Sequence, residues 1–109
     1  RLQAHALEVG NHLLNGLRTL HARYQVIGDV RGAGLFLGVE LVQNRKTLEP
    51  ASAEADFVIN RMAERGILLG TDGPMHNVLK IRPPMPFSIA NADHLVTTLD
   101  AVLATLPNH

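Results

Sequence analysis

The stretch DVRGAGLFLGVEL at residues 29–41 decides how the rest of the chain is interpreted. Its first three residues favour a short strand, and Gly32 and Gly34 favour a tight turn because glycine adopts backbone conformations that other residues avoid. Residues 35–42 are rich in residue types that favour strands. Gly38 inside this run indicates a β-bulge or a close approach of the backbone. The stretch therefore predicts two strands joined by a glycine turn.

The spacing of Gly32 and Gly34 also suggests nucleotide binding, because glycines let a backbone approach a phosphate group. That function needs a helix directly after the glycines, with its free N–H groups directed at the phosphate. Here residues 35–37 are Leu, Phe and Leu, which continue as a strand. The pattern therefore favours a tight turn over a nucleotide site.

Helical and strand patterns alternate on both sides of this stretch. The predicted elements are a helix over 1–23, strands over 29–31 and 35–42, a helix capped by Ser52 and stopped at Gly66, strands over 67–69 and 78–82, and a helix from Ser88 or Asn91 to Leu106. Pro83 and Pro84 end the last strand because proline has no N–H for a sheet ladder. The order α-β-β-α-β-β-α predicts an α+β fold, a small α/β sandwich with helices packed against a sheet.

The composition limits the possible functions. The 109 residues suffice for one domain, 1–109, with its own core. Ten basic and ten acidic residues give no net charge, so the chain lacks the basic excess that a nucleic acid or an anionic membrane surface would require. The absence of cysteine excludes disulfides and fits a cytoplasmic protein. The sequence has no run of 18 apolar residues and no visible signal peptide, so it predicts no membrane span.

Six histidines raise the question of a metal site. His5 and His12 lie about two turns apart on one predicted helix, which is too far for one ion. No His-Glu-x-x-His motif or carboxylate cluster accompanies any histidine. The sequence therefore predicts no metal ligand, although His76 is of interest because it lies in a glycine-rich loop beside the strand 78–82.

Lys80 and Arg82 are the candidate substrate-binding residues. Because they are two apart on a predicted strand, they share one face, while Leu79 and Ile81 occupy the other. Two cations on one face, next to a rigid proline stop, could hold an anionic group. The alternative is an ordinary solvated strand face, and the spacing alone leaves both interpretations open.

Four motifs together resemble the C-terminal small domain of class III aminotransferases. These are the glycine turn and strand at 29–41, RGILLG at 65–70, NVLKIRPPM at 77–85 and DHLV at 93–96. The resemblance covers nearly the whole chain, and the four motifs occur in the family's order. It implies a pyridoxal-phosphate (PLP) enzyme of fold type I that acts on a small amine or amino acid, as a homodimer or larger oligomer.

The resemblance implies that PLP is bound by a large domain that this chain lacks. Lys46 and Lys80 are the chain's lysines, and neither stands in the context of the family's Schiff-base lysine. We therefore expect no catalytic, cofactor-binding or metal-binding residue in this chain, and we expect the chain alone to be inactive. Arg1 follows no capping residue, which fits a piece of a longer protein.

The position three residues before the double proline carries the family's substrate-binding arginine, which grips a carboxylate with two hydrogen bonds. Here it is Lys80, a point charge that cannot form the planar fork. With residues 66–74 and 77–81, this lysine most resembles the branch of phospho-lyases that eliminate phosphate from phosphorylated amino alcohols such as ethanolamine phosphate. The resemblance implies Lys80 alone as a substrate-binding residue. We add Arg82 as a second cation on the same face, and we interpret Arg31 as a structural residue that bridges the turn to the neighbouring chain.

A second interpretation remains open. The chain could be a stand-alone, non-catalytic α+β module whose apolar faces mediate dimerisation. The length of the natural open reading frame separates the two interpretations. A PLP-binding domain encoded upstream of Arg1 would favour the enzyme, and a native start near Arg1 would favour the module.

Overall fold

The structure is a computed structural model that describes residues 2–83 and 87–107, with side chains from residue 4 onward. Its elements are α1 (Leu2–Arg23), β1 (Ile27–Ala33), β2 (Phe36–Asn44), β3 (Glu49–Pro50), α2 (Ser52–Glu64), β4 (Gly70–Asp72), β5 (Val78–Ile81) and α3 (Ile89–Leu103). They confirm the predicted α+β fold. Arg1, Pro84 and Met85, which belong to predicted features, lie outside the described residues. None of the helices in the described ranges combines the length and apolar character that a bilayer span needs.

The strands form an antiparallel sheet in the order β1-β2-β5-β4, and the short β3 pairs separately with β2. Arg31 of β1 pairs with Gly38 of β2, Gly38 pairs with Lys80 of β5, and Lys80 pairs with Gly70 of β4. Directly opposed residues of an antiparallel ladder point to the same face. These four positions therefore form one row across one face of the sheet.

The helices cover the opposite face, which we call the core face. There Val30, Val39 and Leu79 lie side by side on three neighbouring strands and are buried. The helices contribute apolar stripes that include Val9, Leu13, Leu17 and Leu20 of α1, Ala55, Val58 and Met62 of α2, and Leu95, Leu99, Val102 and Leu103 of α3. Burial of one large aliphatic side chain stabilises a fold by about 1.5–3 kcal/mol. The helices therefore pack on one face of the sheet and stabilise it, and they leave the other face uncovered.

Helix α1 approaches the β1–β2 turn most closely at Gly10. A Cβ atom at Gly10 would lie 2.1 Å from the carbonyl oxygen of Gly34, so a side chain there would collide with backbone. Gly34 itself has a φ of +59°, which favours glycine. The two glycines thus let the helix lie directly on the turn.

Asp100 of α3 ties down the C-terminal end of α1. Arg23 and the hydroxyl of Tyr24 both donate hydrogen bonds to its carboxylate. The bond from Tyr24 lowers the pKa of Asp100, and the Arg23 guanidinium lowers it further. Burial raises the pKa of the Tyr24 hydroxyl, and the Asp100 carboxylate adds to that rise. Arg45 joins this end of the helix to β1 by donating to the backbone carbonyls of His21, Tyr24 and Ile27.

The strand predicted over residues 67–69 is wrong. Residues 67–69 carry no strand, and the neighbouring Gly70–Asp72 pairs with β5 instead. Ile67 and Leu69 pack against the core, whereas the side chain of Leu68 is 85% exposed. An apolar run can thus satisfy burial with alternate residues without joining the ladder, and its composition does not show which residues pair.

Two local predictions also need correction. The residue at the N-cap of α2 is Ala51, which makes no side-chain capping bond, and the Ser52 hydroxyl donates instead to the Met75 carbonyl. The irregularity between β1 and β2 falls at residues 27–29, while Gly38 lies in a regular ladder. By contrast, Ser88 forms a capping box with Asn91, which confirms the earlier of the two predicted starts of α3.

Candidate functional site

The uncovered face of the sheet, which we call the outer face, carries a shallow depression. Its volume is about 200 Å³. It is lined by Arg31, Gly32, Phe36, Leu37, Gly38, Asp72, Val78 and Lys80. All four strands of the main sheet contribute to this lining, so the position of each group is set by the ladder and not by a flexible loop.

Gly38 leaves the middle of the depression open. It lies between Arg31 on one neighbouring strand and Lys80 on the other. A Cβ atom here would lie 3.2 Å from Cγ1 of Val78 and 4.0 Å from Cγ of Arg31. A side chain at this position would therefore fill the space between the two cations, and glycine keeps that space available to a ligand.

Arg31 is held in place by two carboxylates. Its Nη1 atom donates to Oδ2 of Asp29 at 2.8 Å and to Oε1 of Glu40 at 3.1 Å. The hydrogen bond from Asp29 and the neighbouring Glu40 raise the pKa of Arg31. Asp29 lies on the same strand and Glu40 on β2, so Arg31 has the structural contacts expected of it. These contacts also fix the direction of a guanidinium whose side chain is 51% exposed beside the depression.

The sequence missed the place of Arg31 in the depression. The available signal was the alternation of residues along β1, β2 and β5, which puts Arg31, Gly38 and Lys80 on one face once the strands are paired. Register is not visible in an isolated sequence, so this grouping could not be derived from it.

Lys80 and Arg82 take different positions. Lys80 is half-buried in the depression, and its ammonium group makes no hydrogen bond or ion pair with any residue that the structure describes. Arg82 follows β5 and places its guanidinium carbon 4.4 Å from the centre of the Phe36 ring, an attractive cation–π contact. Arg82 also lines a second depression, of about 360 Å³, beside residues 66–69 and the start of α3. Lys80 is therefore the unpaired cation, and Arg82 lies at the rim.

The histidines do not come together. His5 bonds to the carbonyl of Phe87 at 3.0 Å, and His12 contacts Asp93 at 2.6 Å, both on the helical side of the molecule. His76 lies in the β4–β5 turn with a φ of +51° and is exposed. Residues 2–83 and 87–107 contain no group of three side chains that could hold a metal ion.

Comparison with known proteins gives consistent results. The family described as "Aminotransferase class-III" matches residues 1–103. An Arabidopsis thaliana protein named alanine–glyoxylate aminotransferase 2 homolog 2, mitochondrial, is 45% identical over 100 residues, which is 92% of this chain and 21% of that protein. A phospholyase from Arthrobacter, solved in complex with phosphoethanolamine, superposes with a TM-score of 0.92 at 39% identity. An amine transaminase from an uncultivated Pseudomonas species, solved in its PLP-bound form, gives a TM-score of 0.83 at 31% identity.

The chain spans only part of these proteins. It accounts for 25% of the phospholyase chain and 23% of the transaminase chain, although the two superpositions cover 97% and 94% of this chain. The likeness in fold therefore extends over nearly all of this chain, but over a quarter or less of each matched protein.

The described residues do not by themselves fit the PLP cofactor. A cofactor of this kind needs a pocket that encloses its ring. The depression beside Lys80 is shallow and open, and the other lysine, Lys46, is exposed in the turn after β2. What the described residues offer is an open, partly cationic surface.

Proposed function

The chain belongs to the class-III aminotransferase family, and we propose that it forms the small domain of a PLP-dependent enzyme acting on small amines or amino acids. In this proposal a large domain outside residues 1–109 binds the cofactor. The matches cover nearly all of this chain but a quarter or less of each relative, which supports this division. PLP, when bound, withdraws electrons from the carbon that carries the amino group of the substrate.

The role proposed for this chain is to bind the end of the substrate that is remote from the amino group. The observation that carries this proposal is the unpaired ammonium group of Lys80 in the depression of the outer face. An unpaired, half-buried cation is a site for an anion, because pairing offsets its lost hydration. Arg82, at the rim over Phe36, adds positive charge without filling the depression.

The substrate class we favour is a phosphorylated amino alcohol, with phosphate elimination as the reaction. Lysine cannot form the planar two-pronged contact that arginine makes with a carboxylate, so it does not favour α-amino acids. A phosphate group can form an ion pair with a lysine ammonium group from any direction. The phosphoethanolamine complex of the Arthrobacter phospholyase supports this choice, given its TM-score of 0.92 with this chain.

The second candidate is transamination of a small amine or amino acid. The 45% identity to the Arabidopsis alanine–glyoxylate aminotransferase homolog favours it. In that case the substrate would be held without the arginine that the family places at the position of Lys80.

One experiment on the full-length, PLP-loaded enzyme separates the two candidates. Released phosphate is measured with ethanolamine phosphate as the substrate, and new amino acid is measured with alanine and glyoxylate. Phosphate release without amino transfer supports elimination, and the reverse result supports transamination. Lys80→Met should raise KM for ethanolamine phosphate by about tenfold, the effect of losing one charge-assisted contact. Lys46→Met, a matched change in an exposed turn, should leave KM unchanged.

We further propose that the enzyme is a homodimer in the cytoplasm. The zero net charge near neutral pH favours association of subunits, and the lack of cysteine fits a reducing compartment. The Arabidopsis relative is named a mitochondrial enzyme, so the compartment stays a prediction. Light scattering of the purified enzyme tests the first point, and fractionation of the source cells tests the second.

A further inference from the structure

The depression contains a second cation, which the motif around Lys80 does not account for. We propose that Arg31 contacts the anionic group of the substrate directly, together with Lys80 and across Gly38, and that the pair selects a phosphate monoester. This inference rests on the proposed function for the identity of the substrate. It rests on the geometry of the outer face for the residues involved.

Arg31 is oriented to bind a ligand with the part of its guanidinium that its carboxylates leave free. A guanidinium has five N–H donors in a rigid plane. Asp29 and Glu40 both accept from Nη1, and no described residue accepts from Nε or Nη2. The carboxylates therefore hold the plane in position, and the remaining donors can reach an oxyanion. Such prior orientation lowers the cost of binding, since less side-chain freedom is lost.

The spacing of the two cations suits a tetrahedral group. Neighbouring strands lie about 4.8 Å apart, so the backbones of Arg31 and Lys80 are separated by about 10 Å, with β2 between them. Gly38 occupies the middle position and adds no side chain. A phosphate monoester has three free oxygens and close to two negative charges, so it can meet both cations at once. A carboxylate has only two oxygens, so it can accept fewer hydrogen bonds from the free donors of Arg31 and Lys80.

Arg82 is less well placed for this role. Its guanidinium lies over the ring of Phe36, and the residues that line the depression do not include it. The side chain of Arg31, in contrast, borders the depression directly. The geometry therefore favours Lys80 and Arg31 as the residues that contact the anion directly, and Arg82 contributes charge from the rim.

The test uses the full-length, PLP-loaded enzyme and inorganic phosphate as the probe. Two readouts are taken, the inhibition constant of phosphate against ethanolamine phosphate and the rise in Tm that phosphate causes. Arg31→Gln should raise the inhibition constant of phosphate about tenfold and reduce the rise in Tm that phosphate causes. Arg31→Lys should raise the inhibition constant about threefold, because the charge remains while the two-pronged geometry is lost. Arg18→Gln, at an exposed site on α1 on the far side of the sheet, is the matched control and should change neither readout.

Arg31→Lys covers the case in which Arg31→Gln fails to fold, because lysine keeps a positive charge beside Asp29 and Glu40. Unchanged phosphate binding in Arg31→Lys would overturn the inference. A loss in Arg82→Gln with none in the Arg31 variants would also overturn it and would assign the second contact to Arg82.

Failure of the proposed function would look different. If the wild-type enzyme neither releases phosphate nor transfers an amino group, yet phosphate raises its Tm in an Arg31-dependent manner, the anion site stands and the reaction is wrong. If the wild-type enzyme is active and its inhibition by phosphate does not depend on Arg31, the reaction stands and the inference about Arg31 is wrong.

Discussion

The two faces of the one sheet are built on opposite rules. On the core face, Val30, Val39 and Leu79 run across three strands and are sealed by helices. One residue further along each strand, the outer face presents Arg31, Gly38 and Lys80 in the same register. The first row is filled with apolar atoms, whereas the second has charge at its ends and no side chain in its middle. Neighbouring residues of a strand point to opposite faces, so one set of strand pairings positions both the core row and the row of the candidate site.

The largest expected effect comes from removing an apolar side chain on the core face. Leu79→Ala should lower the free energy of unfolding by about 3 kcal/mol, because it leaves a cavity where the side chain is fully buried. Phe36→Ala removes a larger side chain from the outer face, where it is 58% exposed, and should lower it by less than about 1 kcal/mol. Urea unfolding of the purified protein measures both. Equal losses would contradict the division between the faces.

A smaller effect is expected from closing the approach between α1 and the β1–β2 turn. Gly10→Ala should destabilise the protein by about 2 kcal/mol, since the new methyl group meets the Gly34 backbone and outweighs alanine's advantage in a helix. Gly70→Ala is the matched change on the outer face, where a Cβ atom meets nothing within 4 Å. Its effect should stay within about 0.5 kcal/mol. A stable Gly10→Ala variant would show that the helix can move away from the turn at little cost.

The sequence was a good guide to what depends on local pattern. The three helices, the glycine turn and the start of α3 follow from spacing and from residue type, and the structure confirms them. The strand at 67–69 was wrong because Ile67 and Leu69 bury themselves without joining the ladder. An apolar run indicates that its residues are buried, but residues of strands and of extended loops can both be buried.

The candidate site could be predicted only in part. Lys80 and its face follow from alternation along a single strand, which needs no partner. The place of Arg31 beside Lys80 depends on the pairing of β1 with β2 and of β2 with β5. The first pairing is a hairpin, but the second joins Gly38 to Lys80, far apart in the chain. A shift of one residue in the first pairing would send Arg31 to the core face. Register therefore limits what the sequence reveals about the site.

A third prediction concerns the link between α1 and α3, on the helical side. The pKa of Asp100 is lowered by Tyr24 and Arg23 in the folded protein, so its ionised form stabilises the fold. This contribution is present above about pH 4, the ordinary value for Asp, and is lost as the pH falls through the lower folded pKa. The raised pKa of Tyr24 acts in the other direction, and its contribution is lost only as the pH rises above about 10.

Replacement of Asp100 should therefore change the pH profile and not only the stability. Asp100→Asn should cost about 1 kcal/mol at pH 7, and this difference from the wild type should vanish as the pH falls through the lowered pKa of Asp100. Unfolding measured at several pH values provides the comparison. Asp56→Asn, an exposed change on α2, is the control and should run parallel to the wild type. If the free energies of unfolding of the Asp100 variant and the wild type differ by the same amount at every pH, ionisation of Asp100 is not the cause of the difference.

The smallest expected effect has the opposite sign and lies in the depression itself. Asp72 borders it and forms no ion pair with any residue between 4 and 83 or between 87 and 107, so its carboxylate repels an incoming anion. Asp72→Asn should tighten the binding of inorganic phosphate by about twofold to fourfold at low salt, and the gain should shrink at about 1 M salt because exposed charges are screened. Asp56→Asn removes an equal charge on the helical side and should not tighten binding. Weaker phosphate binding in the Asp72 variant would mean that the carboxylate orients Lys80 instead of opposing the ligand, and the outer face would then work as a hydrogen-bonded network and not as a simple cationic surface.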